Sequence, residues 1–283
     1  MNPDIFTSIR SHYNAFTKAE KKVAEFVLEN PKQILDMSIT DLAERCGVGD
    51  TSVFRFCRDL DLKGYQDFRI MIAHSLNTEE GGMLIGGAVS PEDTLEIVIQ
   101  KTLQVNTQAL QETYKLVDPE SIKKAVDWLI SAGRVSFFGA GTSYITALDA
   151  YNKFMRITPK VEAAGDSHMQ AMSACMMTEQ DVAVAISYSG STKDTIDAAK
   201  AAKERGARVI SLTRFIKSPL TQYSDLTLLC GATEGPFQGG SLSAKLSQLF
   251  LLDIIYQEYF RRTYDLSMKN KSLTSEAVAE KQL

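Results

Sequence analysis

Apolar positions recur through residues 1–77 at helical spacing, with no strand-like run among them. Thr17-Lys18-Ala19-Glu20 has the S/T-x-x-E order of a capping box and precedes Val23, Phe26 and Val27, an i, i+3, i+4 stripe. Pro31 ends or bends that segment. Residues 38–47 predict a short helix capped by Ser38 or Thr40 and stopped by Gly47. After Val48-Gly49, residues 50–60 predict a second helix, and Gly64-Tyr65 breaks the chain before a third that runs to Leu76.

The pattern then changes twice. Residues 77–93 carry four Gly and one Pro without periodicity, the composition of an interdomain linker. Helical spacing returns over 94–117 and again over 119–132, where Asp118-Pro119 marks the start and Gly133 the stop. From Arg134 onward, apolar runs at 135–138, 160–164, 182–187, 208–212 and 226–230 alternate with helical segments, the last of them spanning 241–262. Alternation of this kind predicts a parallel sheet with helices on both faces, a three-layer α/β/α domain. The expected organisation is an all-α domain over 1–77, a linker over 78–93, an α/β domain over 94–267, and a polar tail over 268–283 that frays.

Composition narrows the class. At 283 residues with 44% hydrophobic and 23% charged content, the chain reads as an ordinary globular protein. Its beginning shows no apolar leader, and the apolar stretch 242–260 is broken by Lys245, Asp253 and Glu258, which predicts a packed helix and no membrane association. Four cysteines without a CxxC and three histidines assemble no zinc set, so a reducing cytoplasm and no metal are expected.

The chemistry concentrates in two loops. Val182–Ile186 is a continuous apolar run, as a strand buried on both faces requires, and it stops at Ser187. Ser189-Gly190-Ser191-Thr192 then opens an Ala-rich helix. Hydroxyls, free backbone N–H groups and the positive end of the helix dipole converge at such a turn and favour a phosphate. The Gly-Lys-Ser/Thr ending of a nucleotide P-loop is missing, which points to a small phosphorylated ligand. Ser and Thr also cap ordinary helices, but Val135-Ser-Phe-Phe-Gly-Ala-Gly-Thr-Ser143 repeats the strand-to-hydroxyl design. Two such loops at the carboxyl ends of strands can face each other across a switch-point crevice.

Residues 38–60 have the proportions of a helix-turn-helix, with Leu42, Ala43, Val48, Val53 and Phe56 where the helices must meet. The second helix would bring Thr51, Ser52 and Arg55 to base edges in the major groove, with Arg58, Lys63 and Arg69 placed for phosphates. A plain helical bundle is the competing reading: residues 1–77 hold ten Lys/Arg against eleven Asp/Glu, a net of −1, where nucleic-acid modules are usually basic.

The series Val23-Ala24, Ile39, Leu42-Ala43, Gly47-Val48, Val53, Arg55-Phe56-Cys57, Leu60, Gly64-Tyr65 and Phe68 resembles the N-terminal domain of RpiR-type bacterial transcription regulators. The second half resembles the sugar isomerase (SIS) domain of the same regulators, in the same order and across about residues 5–262. The resemblance implies a homodimer or dimer of dimers that binds a double-stranded, inverted-repeat operator and senses a phosphosugar of carbohydrate metabolism, with no cofactor. It implies that Gly139, Gly141, Thr142 and Ser143 form one ligand loop and Ser187, Ser189, Gly190, Ser191 and Thr192 the phosphate loop, led by the hydroxyls of Ser187, Ser189 and Thr192. Asp166, Ser167 and Glu234 are its weaker candidates for sugar hydroxyls. Two positions depart from the pattern: Gly49 where Ser is usual before the second helix, and Asp61 where Gly is usual.

Two other classes compete. SIS domains also serve phosphosugar isomerases, and Glu162, Glu234 and His168 could supply an acid and a base. Catalysis, however, has no use for a helix-turn-helix, so no catalytic residue is expected. Gly139-x-Gly141 with Glu162 downstream has a dinucleotide look, but Tyr144 occupies the third fingerprint position and would block close helix–strand packing.

Overall fold

A computed structural model describes residues 5–79, 89–231, 242–279 and 281. They divide into two compact units, the first reaching Thr107 and the second beginning at Gln108.

In the first unit, α1 (Ile5–His12), α2 (Lys18–Glu29), α3 (Ile39–Cys46), α4 (Asp50–Asp59) and α5 (Tyr65–Glu79) enclose one core. The predicted capping box forms: the Thr17 hydroxyl accepts from the Glu20 N–H while Glu20 accepts from the Thr17 N–H. A second box, Ser38 with Asp41, starts α3. Val23, Val27, Leu42, Val53, Phe56, Phe68 and Ile72 are fully buried, and Phe56 stacks edge-on against Phe68 at 5.5 Å between ring centroids. Cys46 and Cys57 belong to this core; burial pushes their thiols up to about 11 and about 12, which keeps them neutral and inert.

The chain continues through α6 (Leu95–Leu116), α7 (Pro119–Ser131), β1 (Val135–Gly139), α8 (Thr142–Met155), β2 (Val161–Ala163), α9 (Ser167–Cys175), β3 (Val182–Ile186), α10 (Lys193–Glu204), β4 (Arg208–Thr213), β5 (Leu226–Leu229), α11 (Ser243–Arg262) and α12 (Tyr264–Ala279). The five strands are all parallel in the order β2-β1-β3-β4-β5. Alternation along β3 divides the layers. Val182, Val184 and Ile186 pack with α7, α8 and α11, while Ala183 and Ala185 face Ala198, Ala199 and Ala202 of α10. Alanine against alanine lets that helix lie close to the sheet, and larger side chains fill the other face.

Helix α11 is core, with Leu251, Leu252, Ile255 and Tyr259 buried. No helix among the described residues is long and apolar enough to cross a membrane. The expectation of a fraying tail beyond Ser267 is corrected for residues 268–279, which belong to helix α12. Asn270 donates to the Ile157 carbonyl at 2.8 Å and Thr274 to that of Arg156 at 3.0 Å, so polar side chains anchor a helix that shows no apolar stripe.

Candidate functional site

The strand order reverses direction of growth between β1 and β3, and both predicted loops leave the sheet there. In a doubly wound sheet this is where a ligand crevice opens, at the carboxyl ends of the strands.

The loop after β3 is a compact hydroxyl cluster. The Ser187 N–H is held by the Leu212 carbonyl at 3.0 Å, its side chain is 1% exposed, and its Oγ lies 3.1 Å from Thr192 Oγ1. The Ser189 hydroxyl accepts from the Ser191 N–H at 3.2 Å. Gly190 has φ +62°, and a Cβ there would stand 2.2 Å from Ser218 Oγ and 2.5 Å from its Cβ, so only glycine fits. Thr192 is the residue before α10, yet its side chain makes no capping bond to the helix. The hydroxyl that would ordinarily quench the helix N-terminus turns to Ser187 instead, which leaves the dipole and the first-turn N–H groups to an anion.

The loop after β1 is shaped by its backbone. Gly141, at φ 56° and ψ −128°, precedes α8 without a side-chain cap, in a conformation that a Cβ disfavours. Thr142 and Ser143 begin the helix, the Ser143 N–H reaching the Ala140 carbonyl at 3.2 Å. Gln170 of α9 escaped the sequence reasoning. Buried to 4% exposure, its carboxamide donates to the carbonyls of Gly139 and Ala164, both at 2.8 Å, and accepts from the Gly139 N–H at 3.3 Å. It ties the end of β1 to the end of β2. A glutamine on a short helix carries no sequence signal for such a clamp.

The weaker candidates fare differently. Asp166 is the N-cap of α9, accepting from the His168 and Met169 N–H groups at 2.9 and 3.2 Å. Ser167 and His168 are exposed on the first turn of that helix. Glu162 accepts hydrogen bonds from Ser136 Oγ, at 2.7 Å, and from Ser173 Oγ. Glu234 lies outside the described residues. Among the described residues no group of three or more His, Cys, Asp or Glu could hold a metal ion.

In the first unit, α3 ends at Gly47 in the left-handed conformation and α4 begins at Asp50, the turn expected of a helix-turn-helix. Gly49 offers no side-chain cap; Asp50 is instead fixed by Thr40, whose hydroxyl donates to it at 2.8 Å. Thr51, Arg55 and Arg58 are exposed on α4, Ser52 is half-buried, and Lys63 is exposed in the turn that follows. Phe54, 46% exposed, shares that face; an aromatic in a helical pattern reads as core, so the sequence reasoning passed over it. Arg69 requires correction. Read as a phosphate contact, it is 3% exposed and donates to the Leu35 carbonyl and to Gln66 Oε1, which places it inside the bundle.

The family of the chain follows from comparison with known proteins. The model of the helix-turn-helix domain of the rpiR family matches residues 4–79, and that of the SIS domain matches residues 128–257. An HTH-type transcriptional regulator of Caldanaerobacter subterraneus is 35% identical over 280 residues, 99% of each chain. The chain belongs to the rpiR family of helix-turn-helix regulators. HexR, an HTH-type transcriptional regulator of Pseudomonas aeruginosa, is 36% identical over 252 residues, 89% of this chain and 87% of its own. The solved structure of Vibrio vulnificus NanR complexed with ManNAc-6P superposes with a TM-score of 0.83 at 30% identity, covering 99% of this chain and all of that one.

Proposed function

We propose that this rpiR-family regulator binds a double-stranded operator through α4 and changes its grip when a phosphorylated sugar occupies the crevice between the loops after β1 and β3. The observation that carries the reading is the start of α10, left without a side-chain cap beside the paired hydroxyls of Ser187 and Thr192. The phosphate sits there, with Ser189, Gly190 and Ser191 around it, and the sugar extends toward Gly141, Thr142 and Ser143. The complex of NanR with a hexosamine phosphate supports this class of ligand. Thr51, Ser52 and Arg55 read base edges, Phe54 offers a ring to a thymine methyl, and Arg58 and Lys63 hold phosphates.

The chain is a sensor and not an isomerase: Glu162, the base nearest the first strand, is committed to Ser136 and Ser173, and the named relatives are regulators. It acts in the cytoplasm as a homodimer, its two copies of α4 about 34 Å apart on an inverted repeat. Leu95, Ile99 and Leu103 support the dimer, an i, i+4, i+8 row exposed by 69, 59 and 67% along α6.

Thermal melting with a panel of sugar phosphates tests the ligand. A compound bound only to the folded state, at a hundred times its Kd, adds about 2.7 kcal/mol of stability. At least one hexose or hexosamine 6-phosphate is expected to raise the melting temperature, and the corresponding free sugar is not. Stabilisation by NAD alone would favour the dinucleotide reading.

A further inference from the structure

Gln248 stands on the core face of α11, one turn before Leu251 and Leu252 and two before Ile255, where an apolar side chain would be ordinary. It is 1% exposed. A polar group so buried costs free energy unless every bond it makes is worth having. Its carboxamide has two partners, both in the first turn and a half of α8. Nε2 donates to Ser143 Oγ at 3.4 Å, and Oε1 accepts from the Thr146 hydroxyl, itself fully buried, at 3.0 Å. The preceding residue fixes α11 at this level: Ser247 Oγ bonds the carbonyls of Ala109 and Gly231, both at 3.3 Å.

We propose that Gln248 is a positioning residue for the effector: acting through Ser143, it sets the loop after β1 against the sugar, while the phosphate loop is held separately. This rests on the crevice reading above. The separation follows from the bonding. The loop Gly141-Thr142-Ser143 has no side-chain cap of its own, and the tether from α11 holds it through the Ser143 hydroxyl. The phosphate loop is secured by β4 and by its own hydroxyls, through Ser187 to Leu212 and Ser187 to Thr192, and the hydrogen bonds of Gln248 go to α8 instead.

The test compares two probes on the full-length chain by calorimetry: inorganic phosphate, which fills the phosphate loop alone, and N-acetylmannosamine 6-phosphate, with glucose 6-phosphate alongside. Gln248→Met keeps the volume and removes both bonds. Its affinity for inorganic phosphate should stay within about twofold of wild type, while affinity for the sugar phosphate that wild type prefers should fall about tenfold. Combined with Ser143→Ala, Gln248→Met should add little to the loss that Ser143→Ala causes alone, because the two act in series. Thr146→Val, which frees the carboxamide at its other end, should give a smaller loss with the same selectivity and serves if Gln248→Met fails to fold. Equal weakening of both probes, unchanged sugar affinity, or full additivity with Ser143→Ala overturns the proposal. If wild type binds neither phosphate nor a sugar phosphate, the crevice reading fails and takes this proposal with it; normal wild-type binding with an unselective variant removes this proposal alone.

Discussion

Asp61 holds a backbone φ of 61°, the left-handed region that glycine occupies at little cost and that strains a residue with a Cβ. It sits just past α4, where its N–H closes a turn onto the Arg58 carbonyl at 3.0 Å. The turn forms without a glycine, and the aspartate carries the strain. Asp61→Gly should therefore stabilise the first unit by about 0.5–1 kcal/mol, read as a higher melting temperature. A lower one would mean that the aspartate side chain contributes more than its backbone costs. Individual side chains were the least legible part of the sequence. Arg69 and Arg58 look alike in a linear pattern, and only the packing of α5 shows that one is enclosed and the other exposed. Gln170 and Gln248 gave no signal, because an amide earns its place by geometry across elements far apart in the chain.

Elements were far more legible. Each of the five strands lies within a residue or so of its apolar run, and β3, buried at every residue, carries no polar side chain at all. The Thr17–Glu20 capping box and Pro31 fixed α2, and the Ser38 cap and Gly47 stop fixed α3, for a similarly local reason. Helix α12 was illegible because its anchors are two backbone carbonyls at the end of α8, not an apolar stripe. The contrast between α4 and α5 yields a paired test. Arg55→Ala, on the exposed face of α4, should weaken operator binding by about 1–3 kcal/mol and leave the melting temperature unchanged. Arg69→Ala strands the Leu35 carbonyl inside the bundle and should lower stability by about 2 kcal/mol. Intact operator affinity in the first variant would remove Arg55 from the interface, and an unchanged melting temperature in the second would contradict the buried assignment.

At the scale of the whole molecule, a ligand in the second unit can regulate DNA binding by the first only if it prefers one arrangement of the chain over another. The phosphate loop is proposed as the seat of that preference. Operator affinity should consequently respond to effector in proportion to occupancy of Ser187–Thr192, and the basal grip of α4 should not depend on that loop. The most direct measurement is operator binding by fluorescence anisotropy, at fixed salt, with and without the sugar phosphate that stabilises wild type, for wild type and for Ser189→Ala/Thr192→Ala. Effector is expected to change wild-type affinity severalfold, while the double variant binds the operator as tightly as effector-free wild type and does not respond. A double variant that still responds like wild type would contradict it.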